Sequence, residues 1–168
     1  MKTNGYILTL FVLLCFLLSC GVASTPTPVS TIDSSKFLRM KVNGKDWIAD
    51  SGISCAVHPE GYNKAILIAG SKTEGNDDED FNIHLFNMQL GPSITAATDG
   101  NPNNTTIQLG THDSAKYIYG SLLGFDMQIQ IVRVSKNPVL LEVSFQGEMT
   151  GNAGDKLKIT DGYFYYKE

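Results

Sequence analysis

From Lys36 onward, large apolar side chains alternate with polar ones at a period of two, the spacing of strands with one buried face. Phe81, Ile83 and Leu85 face one way and Asn82 and His84 the other. Phe125, Met127, Ile129 and Ile131 alternate with Asp126, Gln128 and Gln130, and Leu141, Val143 and Phe145 answer them after a turn at Lys136-Asn137-Pro138. Asn43-Gly44 is a two-residue hairpin signal between strands over 36–42 and 45–50. The segment 53–58 either continues the second strand or pairs elsewhere. Further strands are predicted over 65–71, 81–88, 105–111, 117–122, 125–134, 139–149 and 157–166. Thr73 to Asp80 reads as an acidic loop, and Gly91 to Asn104 as a loop rich in Gly-Pro, Asp-Gly and Asn-Pro signals. About eight to ten short strands with regular turns predict an all-β fold: an antiparallel β-sandwich or a flattened barrel.

The first 35 residues break this pattern. Ile7 to Leu18 is an uncharged apolar run behind a polar start that carries Lys2. A spanning helix needs roughly 20 apolar residues, so the run predicts a signal-peptide helix. It ends at Leu17-Leu18-Ser19-Cys20, which resembles the lipobox of bacterial lipoproteins; an ordinary secretory leader cleaved near Ser19 or Ala23 is the alternative. The resemblance implies a diacylglycerol thioether on Cys20, cleavage before it and acylation, typically by palmitate, of its new amino group. Two or more acyl chains anchor stably where one does not. Residues 1–19 are then the signal peptide and 20–35 a lipidated cysteine with a Ser/Thr/Pro-rich tether that has too few large apolar side chains to pack. Residues 36–168 form the folded domain. The expected address is the cell envelope: a lipid-anchored protein of the outer membrane, on its periplasmic or its external face.

The second half of the chain carries a further resemblance. The segments Gly120–Gly124, Phe125–Val134, Glu142-Val143-Ser144-Phe145-Gln146-Gly147 and Lys158 to Phe164, with an opening strand Met40 to Trp47 and a closing Thr160-x-Gly162-x-Phe164, are similar to small lipobox-containing lipoproteins of unknown function from Bacteroidetes-like bacteria. The resemblance spans most of 38–166 and implies a β-sandwich without catalytic residues.

Composition narrows the function. Removing 1–19 leaves 168 − 19 = 149 residues, the size of one domain. A net charge of −4 with a pI of about 5.3 argues against nucleic-acid binding. Cys15 leaves with the leader and Cys20 is lipidated, so Cys55 has no intramolecular partner and is expected as a small buried residue rather than a reactive thiol. No cofactor motif is present. His58, His84 and His112 lie on separate segments without metal-ligand spacing, and Asn76 to Asp80 lacks the order of a calcium loop, so no metal is expected. His112-Asp113-Ser114 has the residue types of a hydrolase triad but not its geometry, because neighbours on an extended chain point apart. Asp113-Ser114-Ala115 resembles a bacterial O-glycosylation motif, which makes Ser114 a candidate modification site. Asn103 and Asn104 begin Asn-x-Thr sequons of the kind bacteria rarely use.

The aromatic content points to binding. In Tyr163-Phe164-Tyr165-Tyr166, alternation sets Tyr163 and Tyr165 on one face and Phe164 and Tyr166 on the other, and one face alone can meet a sandwich core. Tyr163 and Tyr165, joined by Tyr117, Tyr119 or Trp47, are the candidate ligand-binding residues, with Gln128, Gln130, Gln146 and Asn82 as polar partners. The expected function is a non-catalytic binding or structural module for a glycan or an envelope protein. The alternative is a glycan hydrolase using two carboxylates among Asp126, Glu142, Glu148 and Asp161.

Overall fold

The computed structural model describes residues 34–61, 63–73, 78–86, 93–98, 105–111 and 117–168, with 93–98 and Leu122 described by their backbone alone. These residues fall within one compact unit, Asp33–Glu168. The leader, Cys20, the tether through Asp33, residues 74–77 of the acidic loop, Asn103, Asn104, His112 and Ser114 lie outside the described residues.

Eleven strands are described: β1 (Lys36–Val42), β2 (Lys45–Ile48), β3 (Ser51–Val57), β4 (Ile66–Lys72), β5 (Glu79–Leu85), β6 (Ser93–Thr98), β7 (Thr106–Thr111), β8 (Ile118–Gly120), β9 (Phe125–Lys136), β10 (Val139–Thr150) and β11 (Lys156–Lys167). They form two antiparallel sheets: a six-stranded sheet in the order β2-β1-β11-β10-β9-β6 and a five-stranded sheet in the order β3-β4-β5-β7-β8. Of the two architectures expected, the chain adopts the sandwich.

The two sheets bury the apolar rows read from the sequence. Leu38, Phe164, Val143 and Ile131 face Ile68, Phe81, Ile83 and Leu109 in one core cluster. Phe81 and Phe145 stack across it with centroids 5.3 Å apart. Asn43 and Gly44 have φ of 50° and 79°, the paired positive values of a type I′ hairpin. The chain then changes sheet at Ala49-Asp50: the Ala49 amide donates to Leu38 O at 3.0 Å in one sheet and the Asp50 amide to Ser71 O at 3.0 Å in the other. This answers the open question about 53–58, which belongs to the second sheet. At the opposite edge, an isolated bridge joins Tyr119 to Gly151.

One expectation is corrected. Residues 91–104 contain β6, which runs antiparallel to β9 from Ser93 opposite Ile131 to Thr98 opposite Asp126. Ser-Ile-Thr-Ala-Ala-Thr has no alternation of large apolar residues, so periodicity does not mark it. Its backbone ladder at the sheet edge makes it a strand.

Two bulges set the outer face of the six-stranded sheet. In β11 the partners step from Arg39↔Tyr163 to Lys41↔Thr160 on one side and from Phe145↔Gly162 to Gly147↔Ile159 on the other, so β11 holds one extra residue against both neighbours. Asp161 takes up that residue in the left-handed region, at φ 54°, which Asp tolerates better than most residues. Such an insertion reverses the alternation downstream. Leu157 and Ile159 point inward before it; Gly162 and Phe164 do so after it, and Tyr163 and Tyr165 are turned outward. In β9 the extra residue is Val132, which places Arg133 opposite Glu142.

Candidate functional site

Four cross-strand rows build the outer face of the six-stranded sheet. The first runs Phe37–Tyr165–Glu142–Arg133 and the second Arg39–Tyr163–Ser144–Gln130. The third holds Gln146 opposite Gln128, with Asp161 lifted beside it by the bulge. The fourth runs Lys158–Glu148–Asp126. One end is therefore aromatic and cationic, the middle neutral and amide-rich, and the far end carries two carboxylates and a lysine.

The aromatic end is tied together. Phe37 stacks on Tyr163 at 5.3 Å and 21°, and on Tyr165 at 5.6 Å and 25°. The Arg39 guanidinium lies 6.0 Å from the Phe37 centroid and 5.9 Å from that of Tyr163, within cation–π range. Arg133 lies 5.9 Å from the Tyr165 centroid. The Tyr163 hydroxyl donates to Glu142 Oε1 and Arg133 Nε donates to Glu142 Oε2. Those two bonds, that from Tyr163 first, hold the Glu142 carboxyl below the ordinary carboxylate range. Burial, then the bond to Glu142, pushes the Tyr163 phenol up.

In the middle of the face two open hollows of about 260 and 570 Å³ adjoin, sharing Gln128 and Gln146. Gly162 lines the first and Gly147 the second. The Gln146 amide donates to Gln128 Oε1 at 3.4 Å. Lys41 Nζ pairs with Asp161 at 3.0 Å, which raises the lysine pKa through that bond. A third hollow of about 280 Å³ adjoins the first at Asp161 and is lined by Arg39, Lys41, Asp46 and Ile48. Ile48 is 58% exposed, and so adds an apolar wall to it.

The five aromatic candidates thus separate. Tyr163 and Tyr165 lie together on this face. Trp47 is 2% exposed and packs edge-on against Phe81 at 6.1 Å, so it belongs to the core and not to any platform. Its indole N–H donates to Glu79 Oε2 at 2.7 Å, and the Tyr117 hydroxyl donates to the other oxygen of the same carboxylate. Tyr119, 5.9 Å from the Tyr117 ring, donates to Asp155 at 2.6 Å, chiefly through which its phenol pKa rises to about 12. These hydroxyls tie strands and turns together. Gln128, Gln130 and Gln146 share the face with Tyr163 and Tyr165, whereas Asn82 is on the outer side of the five-stranded sheet, alternating with buried Phe81 and Ile83.

The reading of the sequence missed Phe37, Arg39 and Arg133. Phe37 and Arg39 could have been found from the alternation of Phe37-Leu38-Arg39-Met40, which sets them on the face opposite Leu38 and Met40. Arg133 is out of phase with its own strand because of the Val132 bulge and carries no such signal.

Of the four carboxylates considered for hydrolysis, Glu142 is taken up by Tyr163 and Arg133, and Asp161 by Lys41. Asp126 and Glu148 stand directly opposite one another on exposed positions. Cys55 packs against the core, and burial raises its thiol pKa to about 12. His84 lies 6.5 Å from the Phe86 ring on the five-stranded sheet, while His58 occupies a turn at φ 51°. No three His, Cys, Asp or Glu side chains among the described residues group as metal ligands.

The fold and face define an open antiparallel β-sandwich with a polar–aromatic sheet surface. No family model, no curated protein and no solved structure matches the chain.

Proposed function

We propose that this protein is a non-catalytic saccharide-binding module of the cell envelope, held to the membrane by lipid on Cys20, with the outer face of the six-stranded sheet as its binding surface. One observation carries the reading: Tyr163 and Tyr165 share that face with Gln128, Gln130, Gln146 and Ser144. A sugar ring offers both C–H surface and hydroxyls. Amides donate and accept at once and so match hydroxyls without charge, and tyrosines combine an apolar body with a polar tip. The test is a glycan array probed with the full chain in a detergent that contains no sugar, beside a Tyr163→Ala/Tyr165→Ala variant. Saturable binding lost in the variant supports the reading. Glycan silence together with reproducible capture of one envelope protein replaces it with an assembly role.

One register pair favours a second reading, hydrolysis. Side chains directly opposite in an antiparallel ladder have Cβ atoms about 4.5–5.5 Å apart, near the roughly 5–5.5 Å carboxylate separation of retaining glycosidases. Asp126 and Glu148 are such a pair. Reducing-end release from a bound glycan that disappears in both Asp126→Asn and Glu148→Gln would establish it.

A further inference from the structure

We infer that the saccharide held on this face carries a carboxylate, and that Arg39 reads it. The inference rests on the saccharide-binding proposal and adds the chemical class of the ligand.

The cations of the aromatic half differ in what they have left to offer. Arg133 is paired with Glu142, and Lys41 with Asp161. Arg39 is exposed, and its guanidinium has no carboxylate within ion-pair distance among the described residues. Its register neighbours are Ile48 on one side and Tyr163 on the other, an apolar and an aromatic residue. Its contact with Phe37 and Tyr163 is a cation–π one, at 6.0 and 5.9 Å from the ring centroids, and not an ion pair. The N–H donors lie around its rim and stay available, in the fork that matches a carboxylate bidentately. Two rings also restrict the side chain before any ligand arrives, which lowers the entropic cost of binding.

Position supports the same assignment. Arg39 lines the third hollow, which meets the first amide-lined hollow at Asp161. A polysaccharide lying over Gln128, Gln130 and Gln146 reaches Arg39 at the tyrosine end, with exposed Ile48 against its C–H surface. Asp126 and Glu148 stand two rows beyond the Ser144–Gln130 row, at the other end. The carboxylates that share the third hollow with Arg39 are set against Lys41, Asp161 as its ion pair and Asp46 as its register partner, which leaves Arg39 as the cation of this end with donors for an acidic sugar.

The experiment is a panel of uronic-acid oligosaccharides (polygalacturonate, alginate and hyaluronan fragments), each beside its carboxyl-reduced neutral counterpart, titrated against the full chain in a detergent without sugar. At least one acidic member is expected to bind about tenfold more tightly than its reduced form, with affinity falling as salt rises. Arg39→Gln is expected to bring that ratio to about one, whereas Arg39→Lys, which keeps the charge but not the fork, retains part of it. A merely structural role for Arg39 would lower melting temperature and weaken both series equally, leaving the ratio and the salt dependence in place. Equal or tighter binding of the neutral members, or an acidic preference that survives Arg39→Gln, overturns the inference while sparing saccharide binding. Silence across both series overturns the binding proposal and the inference with it.

Discussion

The ring of Phe145 occupies the space beside Gly162 where a side chain would stand: a Cβ built on Gly162 lies 2.4 Å from two of its ring atoms. The two residues are register partners on β10 and β11, and the same ring stacks on Phe81 of the opposite sheet. Glycine here is a packing requirement, since the core ring cannot yield without disturbing the contact between the sheets. Gly162→Ala is expected to cost about 1–3 kcal/mol through overpacking, read as a fall in the urea midpoint with an unchanged slope. Phe145→Leu should recover part of that loss in the double variant, because the two substitutions share one volume. Additive losses would place the clash at the Phe145 carbonyl oxygen, 2.5 Å from the same Cβ, rather than at the ring.

Asp161, one residue earlier, answers to the backbone. At φ 54° it occupies a conformation that most side chains resist, at a cost of roughly 1–2 kcal/mol. Asp161→Gly should change the melting temperature little, since the pair it loses with Lys41 is exposed. Asp161→Val should lower it by about 3–6 °C. At that cost the bulge survives, because buried Phe164 holds the register, so the valine variant should still bind saccharide with Tyr163 and Tyr165 turned outward. Scanning calorimetry and the glycan titration read stability and binding separately.

That bulge marks how far the sequence carries. The strands from Phe81, Phe125 and Val139, and the Asn43-Gly44 hairpin, were legible because a half-buried strand writes its pattern at period two. That Tyr163 and Tyr165 share a face was legible for the same reason. Which of the two faces is outer was not: it depends on a single extra residue, and Thr160-Asp161-Gly162 reads as part of one unbroken strand over 157–166 until its partners on two neighbouring strands are known. Trp47 was misplaced as a candidate for a complementary reason, since its alternation fits either a buried or an exposed side and its partner Glu79 is 32 residues away. Arg133 reaches the site through a bulge, and β6 exists through backbone pairing alone.

Alkaline conditions should weaken the fold in a defined window. Burial raises the Cys55 thiol from 9.0 to about 12, and the bond to Asp155, then burial, raises the Tyr119 phenol from 10.0 to about 12. Both groups are neutral when protonated, and the folded chain holds their protons more tightly than the unfolded one. Below about pH 9 neither group favours either state. As pH rises from 9 towards 12, the unfolded chain ionises first and stability falls. Thermal melts at pH 8, 10 and 11 should show a progressive drop, smaller in Asp155→Asn, where the first cause of the Tyr119 shift is weakened. Cys55 should react with iodoacetamide at pH 8 about tenfold or more slowly in the folded chain than in urea. Equal rates would place the thiol outside the packing against the core.

Glu142 carries the remaining prediction, because one carboxylate fixes both tyrosines. It accepts the Tyr163 hydroxyl directly and fixes Tyr165 through Arg133, whose guanidinium lies over that ring. Its folded pKa lies below the ordinary 4.5, with the bond from Tyr163 as the leading cause that lowers it. The sign follows from linkage: the contribution to stability is complete above the unfolded value and is lost as pH falls through the lowered folded one. Glu142→Gln should therefore melt below the parent at pH 6, and the gap should narrow as pH falls below 4.5 and the parent carboxylate takes up its proton. In the saccharide titration at pH 6, Glu142→Ala should weaken binding about tenfold, since the ring stack loses its anchor and must be ordered by the ligand. Tyr163→Phe removes one of the two bonds and should lose less. A Glu142→Ala variant that binds as tightly as the parent would mean that the Phe37–Tyr163–Tyr165 stack holds its own shape, and that the carboxylate serves the sheet rather than the site.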